Sequence, residues 1–135
     1  GTSLVACAED CARAGAGAIL VNCADLFSTE AALEALQPLS SRGDSICIGA
    51  YPNAQSMTSV DGNRTWTASA GAGASDGAVG VDDRKRSQAL VQAARRYLRQ
   101  GATIFGACCG HRPDDIAALR AFLSGGRDVG AAALR

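Results

Sequence analysis

Three cysteines in this 135-residue chain are placed to do chemistry together. Cys108 and Cys109 are adjacent in ATIFGACCGH (102–111), at the end of an apolar run, and Cys23 closes a second apolar run, AILVNC (18–23). Cysteine thiolates are the preferred zinc ligands, and a catalytic zinc usually has three protein ligands and one open position. Three thiolates around Zn²⁺ leave a net charge of −1, so a sulfur bound at the open position keeps its nucleophilicity. A free thiol is mostly protonated at neutral pH, and coordination deprotonates it outright. Such a site suits activation of a thiol substrate for alkyl transfer. It suits water activation less, because those sites more often use histidine or carboxylate ligands. On the residues alone, three readings stay open: a three-cysteine metal site, two packing cysteines, or a vicinal redox pair.

Other chemistries find less support. His111 is the only histidine, and it reads as a loop residue after a Cys-Cys-Gly turn. One histidine without a nucleophile elbow supports no Ser/His/Asp set, and no carboxylate pair stands out. Asp114 and Asp115 fit a helix start better than acid–base work. No catalytic residue is assigned. The glycine-rich stretch 69–80 has neither GK[ST] nor GxGxxG after a strand, so it does not read as a phosphate loop. Net charge is zero and the pI is near 6.7, so nucleic acid is not an expected partner. The one basic cluster, Arg84-Lys85-Arg86, reads as a solvated helix start. No apolar run reaches the length of a membrane span, and the first residues lack a signal-peptide pattern. A soluble, cytoplasmic protein is expected. In a reducing compartment, Cys7, Cys11 and Cys47 read as small packing residues rather than disulfide partners.

The elements that must position the three thiols alternate. SLVACAEDCARAG reads as a helix capped by Ser3 and ended by Gly15, with Leu4, Val5, Ala8 and Ala12 on one face. AILVNC and SICIGAY (45–51) are continuous apolar runs of the buried parallel-strand kind. Between them, Leu33, Leu36 and Leu39 mark a helix capped by Ser28 and ending near Pro38 and Gly43. Residues 54–83 form a long Gly/Ala/Ser/Thr-rich stretch, expected to be a flexible loop with Trp66 anchoring it to the core. A strong helix follows from Asp83 to Gln100, with Leu90, Ala93, Ala94, Tyr97 and Leu98 on its apolar face. ATIFGAC is the third strand. Pro113 opens the last helix, which buries Ile116, Leu119 and Leu123 and stops at Gly125 and Gly126. Strands alternating with helices make an α/β chain of parallel β/α units. Chemistry in such units gathers at the C-terminal strand ends, which brings Cys23 toward Cys108 and Cys109. Neighbouring strand residues point to opposite faces, so both cysteines can face one metal only where the strand has ended; Gly110 permits that turn.

VNC ending one strand, YPNA ending the next, Trp66 downstream and GATIFGACCGHRPDDIAAL together resemble the C-terminal part of the homocysteine S-methyltransferases. That family reads GGCC, then a short turn, Pro, an acidic residue and Ile; the likeness covers about residues 16–123. It implies that residues 1–135 are the C-terminal segment of a TIM (β/α)₈ barrel. Cys23, Cys108 and Cys109 would hold Zn²⁺, with homocysteine thiolate as the fourth ligand, and methyl transfer would give methionine. S-methylmethionine or S-adenosylmethionine is the expected donor, since YPNA resembles the sulfonium-using or folate-using branches more than the betaine branch. Asn22 and Asn53, at strand ends, are candidates for positioning substrate. Two features depart from the pattern: GACC replaces GGCC, and His111 stands where a small polar or basic residue is usual. A barrel needs about 250 residues, and three parallel strands leave apolar edges. The remainder of the barrel is therefore expected in the same native chain or a companion chain. The alternatives are a non-catalytic, metal-binding remnant of the fold and a thiol redox module using Cys108 and Cys109.

Overall fold

A computed structural model of the protein describes residues 1–41, 46–60, 63–68 and 83–125, giving the backbone alone at 55–60 and 63–68. Its elements are α1 (Leu4–Arg13), β1 (Ala18–Asn22), α2 (Leu26–Ser41), β2 (Cys47–Tyr51), β3 (Gln55–Val60), β4 (Asn63–Ala68), α3 (Asp83–Arg99), β5 (Ala102–Phe105) and α4 (Pro113–Gly125). β1, β2 and β5 form a parallel sheet in the order β1-β2-β5, and β3 pairs antiparallel with β4.

The helix starts follow from local hydrogen bonding. Ser3 caps α1, its hydroxyl accepting from the Ala6 N–H at 3.2 Å. Asp25, rather than Ser28, begins α2. Its carboxylate accepts from the Phe27 and Ser28 N–H groups, each at 2.9 Å, and from the Ser28 hydroxyl at 2.7 Å. These bonds pull its pKa down against the opposing effect of burial. Pro38 does not end α2. It lies in the last turn, and the helix runs on to Ser41, because a proline there removes only one backbone bond. Gly43 and Gly126 lie outside the described residues.

The helices form one layer in chain order, α1 on α2, α2 on α3 and α3 on α4. Leu33, Leu36, Ile48, Ala50, Ala93, Tyr97 and Ala102 are buried between this layer and one sheet face, with Ile19, Val21 and Phe105 packed against them. Leu90, Ala94 and Leu119 make a second cluster between α3 and α4, joined by Ala107. The Tyr97 hydroxyl donates to the Leu26 carbonyl at 2.9 Å, and Arg96 pairs with Glu30 at 2.7 Å, so α3 is bolted to α2. Burial pushes the Tyr97 phenol well above its ordinary pKa, so it stays a donor.

The opposite sheet face is open among the described residues. Leu20 and Ile104, both 38% exposed, flank Gly49 there. A Cβ on Gly49 would collide with the Ile104 carbonyl oxygen and lie 2.9 Å from Leu20 Cδ2, so only glycine fits between Leu20 and Ile104 on the central strand.

Several sequence expectations change. Part of the expected 54–83 loop is the β3–β4 hairpin. The glycine-rich 69–80 stretch, the Trp66 side chain and the 127–135 tail lie outside the described residues. Cys7, Cys11 and Cys47 are exposed rather than packed. Cys47 falls on the open sheet face, and Cys7 and Cys11 lie exposed on the flank of the stripe that α1 buries at Ala8. Leu98 and Ile116, read as core, are 43% and 42% exposed. Arg86, read as solvated, is buried. No helix among the described residues is long and apolar enough to cross a membrane.

Candidate metal centre

The strands end early, and the backbone ladder continues past them. That continuation builds the site. Cys23 lies just after β1, and its N–H donates to the Tyr51 carbonyl at 3.1 Å. Asn53 N–H donates to the Ala24 carbonyl at 2.9 Å on the same side. On the other side, Cys108 N–H donates to the Pro52 carbonyl at 2.8 Å, and Ala54 N–H to the Cys109 carbonyl at 2.9 Å. Tyr51-Pro52-Asn53-Ala54 therefore acts as a spine zipped to the Cys23 loop on one flank and the Cys108-Cys109 turn on the other. Pro52 joins this ladder through its carbonyl alone, having no N–H to donate.

Two backbone features aim the thiols. Cys23 is the one non-glycine residue with positive φ among the described residues, at 53°. A side chain in this left-handed region costs about 1–2 kcal/mol and persists only where neighbours fix it. Asn53, 1% exposed, supplies that fixation: its Nδ2 donates to the Cys23 carbonyl at 2.7 Å and lies 3.9 Å from Cys23 Sγ. On the other flank β5 ends at Phe105, so Cys108 and Cys109 are free of strand alternation. Gly110, at φ 79°, completes the turn, and His111 N–H closes it on the Cys108 carbonyl at 3.2 Å.

The three sulfurs converge. Cys23 Sγ is 3.5 Å from Cys109 Sγ, Cys108 Sγ is 3.7 Å from Cys109 Sγ, and all three lie within 4.8 Å of one another. Thiolates held tetrahedrally at about 2.3 Å from one zinc stand roughly 3.8 Å apart. The cluster fits that ion, and the partial exposure of the cysteines leaves a side open for a fourth ligand. Hydrogen bonds from Cys108 and Cys109 draw the Cys23 pKa down. Cys108, as donor to Cys23, is pushed up to about 11. The cluster thus already favours negative charge at Cys23.

Behind the turn is a polar knot that sequence reasoning did not anticipate. Asp115, fully buried, accepts from Arg86 Nε at 2.6 Å, Ser87 Oγ at 2.5 Å and the Arg112 N–H at 2.8 Å. His111 Nδ1 lies 3.2 Å from the same carboxylate. These donors hold Asp115 at a pKa of about 2 although burial opposes ionisation. An ionised carboxylate only accepts, so the His111 proton is on Nδ1, and burial lowers the imidazole's pKa toward that neutral form. Asp83 completes the group, 2.8 Å from Arg86.

Of the residues read from sequence, Cys23, Cys108, Cys109 and Asn53 come together. Asn22, exposed at the end of β1, stands beside them in sequence without a described contact to the thiols. Arg86, Ser87, His111 and Asp115 were missed as a group. The capping-box spacing from Arg112 to Asp115 was the available signal for one of their contacts.

The fold and site together define a mixed α/β chain whose parallel strand ends carry a cluster of three thiols that could hold a metal ion. The family model for homocysteine S-methyltransferase matches residues 1–123, so the match also takes in α1. The chain belongs to the homocysteine S-methyltransferase family. No curated protein and no solved structure gives a match.

Proposed function

We propose that this chain provides the zinc-binding part of an enzyme that methylates the thiol of homocysteine to give methionine. The observation that carries the reading is the convergence of three sulfurs from two strand ends within 4.8 Å in a chain of this family. Cys23, Cys108 and Cys109 hold the metal. Zinc bound there would keep homocysteine sulfur as thiolate at neutral pH. Asn53 fixes Cys23 from behind, and the place of Asn22 and Asn53 at strand ends supports a role for them in positioning substrate. S-methylmethionine or S-adenosylmethionine suits the chemistry as donor. The thiolate sulfur forms a bond to the methyl carbon, the carbon–sulfonium bond breaks, and the leaving group departs as a neutral sulfide.

The parallel β/α units read as the C-terminal part of a (β/α)₈ barrel, with its remaining strands in the same native chain or a companion. Their contribution would cover the open face beside Leu20, Gly49 and Ile104 and supply further substrate contacts. The test is metal analysis of protein purified without chelator, followed by assay of methionine from homocysteine with each donor. About one zinc per chain and methionine formation support the reading. Zinc without methionine from any donor, companion included, favours a non-catalytic remnant. A zinc-free chain with a titratable Cys108–Cys109 disulfide favours the redox module.

A further inference from the structure

The loop that carries two of the three thiols lies past the end of β5 and is paired on one side to the 51–54 spine. Between the end of β5 at Phe105 and Pro113 it turns through Gly110 at positive φ. Two attachments restrain it at the thiol end, the Cys108 N–H to Pro52 and the Cys109 carbonyl to Ala54. The helix end has a different anchor. Asp115 takes the Arg112 N–H and the His111 imidazole from the loop, and Arg86 and Ser87 from α3. His111 in turn donates its backbone N–H to the Cys108 carbonyl. A continuous chain of contacts therefore runs from α3, through one buried carboxylate, to the peptide that carries a thiol.

We propose that Asp115, held by Arg86, is a positioning residue for the Cys108–Cys109 pair: it locks the 108–112 turn to α3 so that both sulfurs face the point shared with Cys23. This rests on the metal-site reading above. Asp115 touches neither metal nor substrate. It acts on metal affinity as outer-shell partners do, where removal typically costs 10–100-fold. The geometry explains why a carboxylate is used. Four donors converge on one side chain, two from α3 and two from the loop, and an ionised carboxylate can accept them all. An asparagine in the same place would present an NH₂ to at least one donor. Replacing Arg86 by lysine would keep the charge and lose the fixed direction of the Nε–H.

The test measures Co²⁺ binding to the full chain, with its thiolate-to-cobalt charge-transfer band, for wild type, Asp115→Asn and Arg86→Lys. In parallel, phenylarsine oxide capture of the metal-free thiols is followed in a background with Cys7→Ser and Cys11→Ser, which removes the other close cysteine pair. Bridging by the arsenical requires two sulfurs aimed at one point and no metal. Asp115→Asn that keeps its far-ultraviolet circular dichroism should bind cobalt roughly 10–100-fold more weakly, with an altered band and slower arsenical capture. Arg86→Lys should shift each readout in the same direction by less. Loss of helix stability alone would leave the band of the bound fraction unchanged. Wild-type affinity, band and capture rate in folded Asp115→Asn would overturn the proposal. If that variant fails to fold, Arg86→Lys decides in the same way. A wild-type chain that binds no cobalt defeats the metal reading; arsenical capture then settles the positioning role by itself, slowed in the variants if it holds and unchanged if it does not.

Discussion

Cys23 concentrates the most constraint on one residue. Its left-handed backbone turns the thiol toward Cys109, and the Asn53 amide holds it there. Cys23→Ala should reduce bound zinc from about one per chain to none, measured by metal analysis, because two ligands do not retain the ion. Asn53→Ala should leave the Cys23 carbonyl without this donor. That costs about 1–3 kcal/mol of stability in urea unfolding, together with weaker metal binding. Unchanged stability would mean that the left-handed turn needs no clamp. Zinc affinity should rise with pH through the neutral range, because Cys108, pushed up to about 11 in the free cluster, must release its proton to bind. A flat affinity profile from pH 6 to 8 would contradict thiolate ligation.

At the scale of elements, the Asp115 knot joins the starts of α3 and α4. The sign of its pH effect follows from its depressed pKa. Stability from this carboxylate is complete above the unfolded value near 3.9 and is lost as pH falls toward about 2, where the folded group protonates. It amounts to roughly 2 kcal/mol. The melting temperature of wild type should therefore fall more steeply between pH 5 and 2 than that of Asp115→Asn; parallel curves would remove Asp115 from the account. Gly49 governs the sheet in a similar way. Gly49→Ala sets a methyl against the Ile104 backbone, so β5 must move. A loss of about 1–3 kcal/mol is expected, along with weaker metal binding, because β5 leads directly into the Cys108-Cys109 turn.

For the whole molecule, the two sheet faces differ. Among the described residues, one is covered by helices α1, α2 and α3, while the other presents Leu20 and Ile104. Parallel sheets normally have both faces covered. In solution, the chain of residues 1–135 should therefore self-associate or bind a companion through this face. Replacing Leu20 and Ile104 by serine should shift sedimentation toward monomer. A wild type that sediments as a monomer at tens of micromolar would show that the open face is tolerated without a partner.

The sequence by itself determined the parallel strands, the helices between them and the three candidate ligands. Continuous apolar runs, helical periodicity and cysteines at strand ends are local patterns, and local patterns survive in one dimension. It also held an unused signal, the Asp61-Gly62 pair between β3 and β4, which is the usual mark of a two-residue hairpin. Tertiary structure alone decided which cysteines are exposed, because helix and strand periodicity name a face without saying what covers it. It also decided that Arg86 and the His111 side chain are buried. Their burial depends on one carboxylate reached across 29 residues by Arg86, and a buried charge becomes tolerable only when such a partner arrives. The convergence of Cys23 with Cys109, 86 residues apart, belongs to both levels. The alternation of strands and helices brought the two ends to one side of the sheet. The left-handed turn at Cys23, the spine at 51–54 and the lock at Asp115 set the sulfurs at the spacing a metal requires.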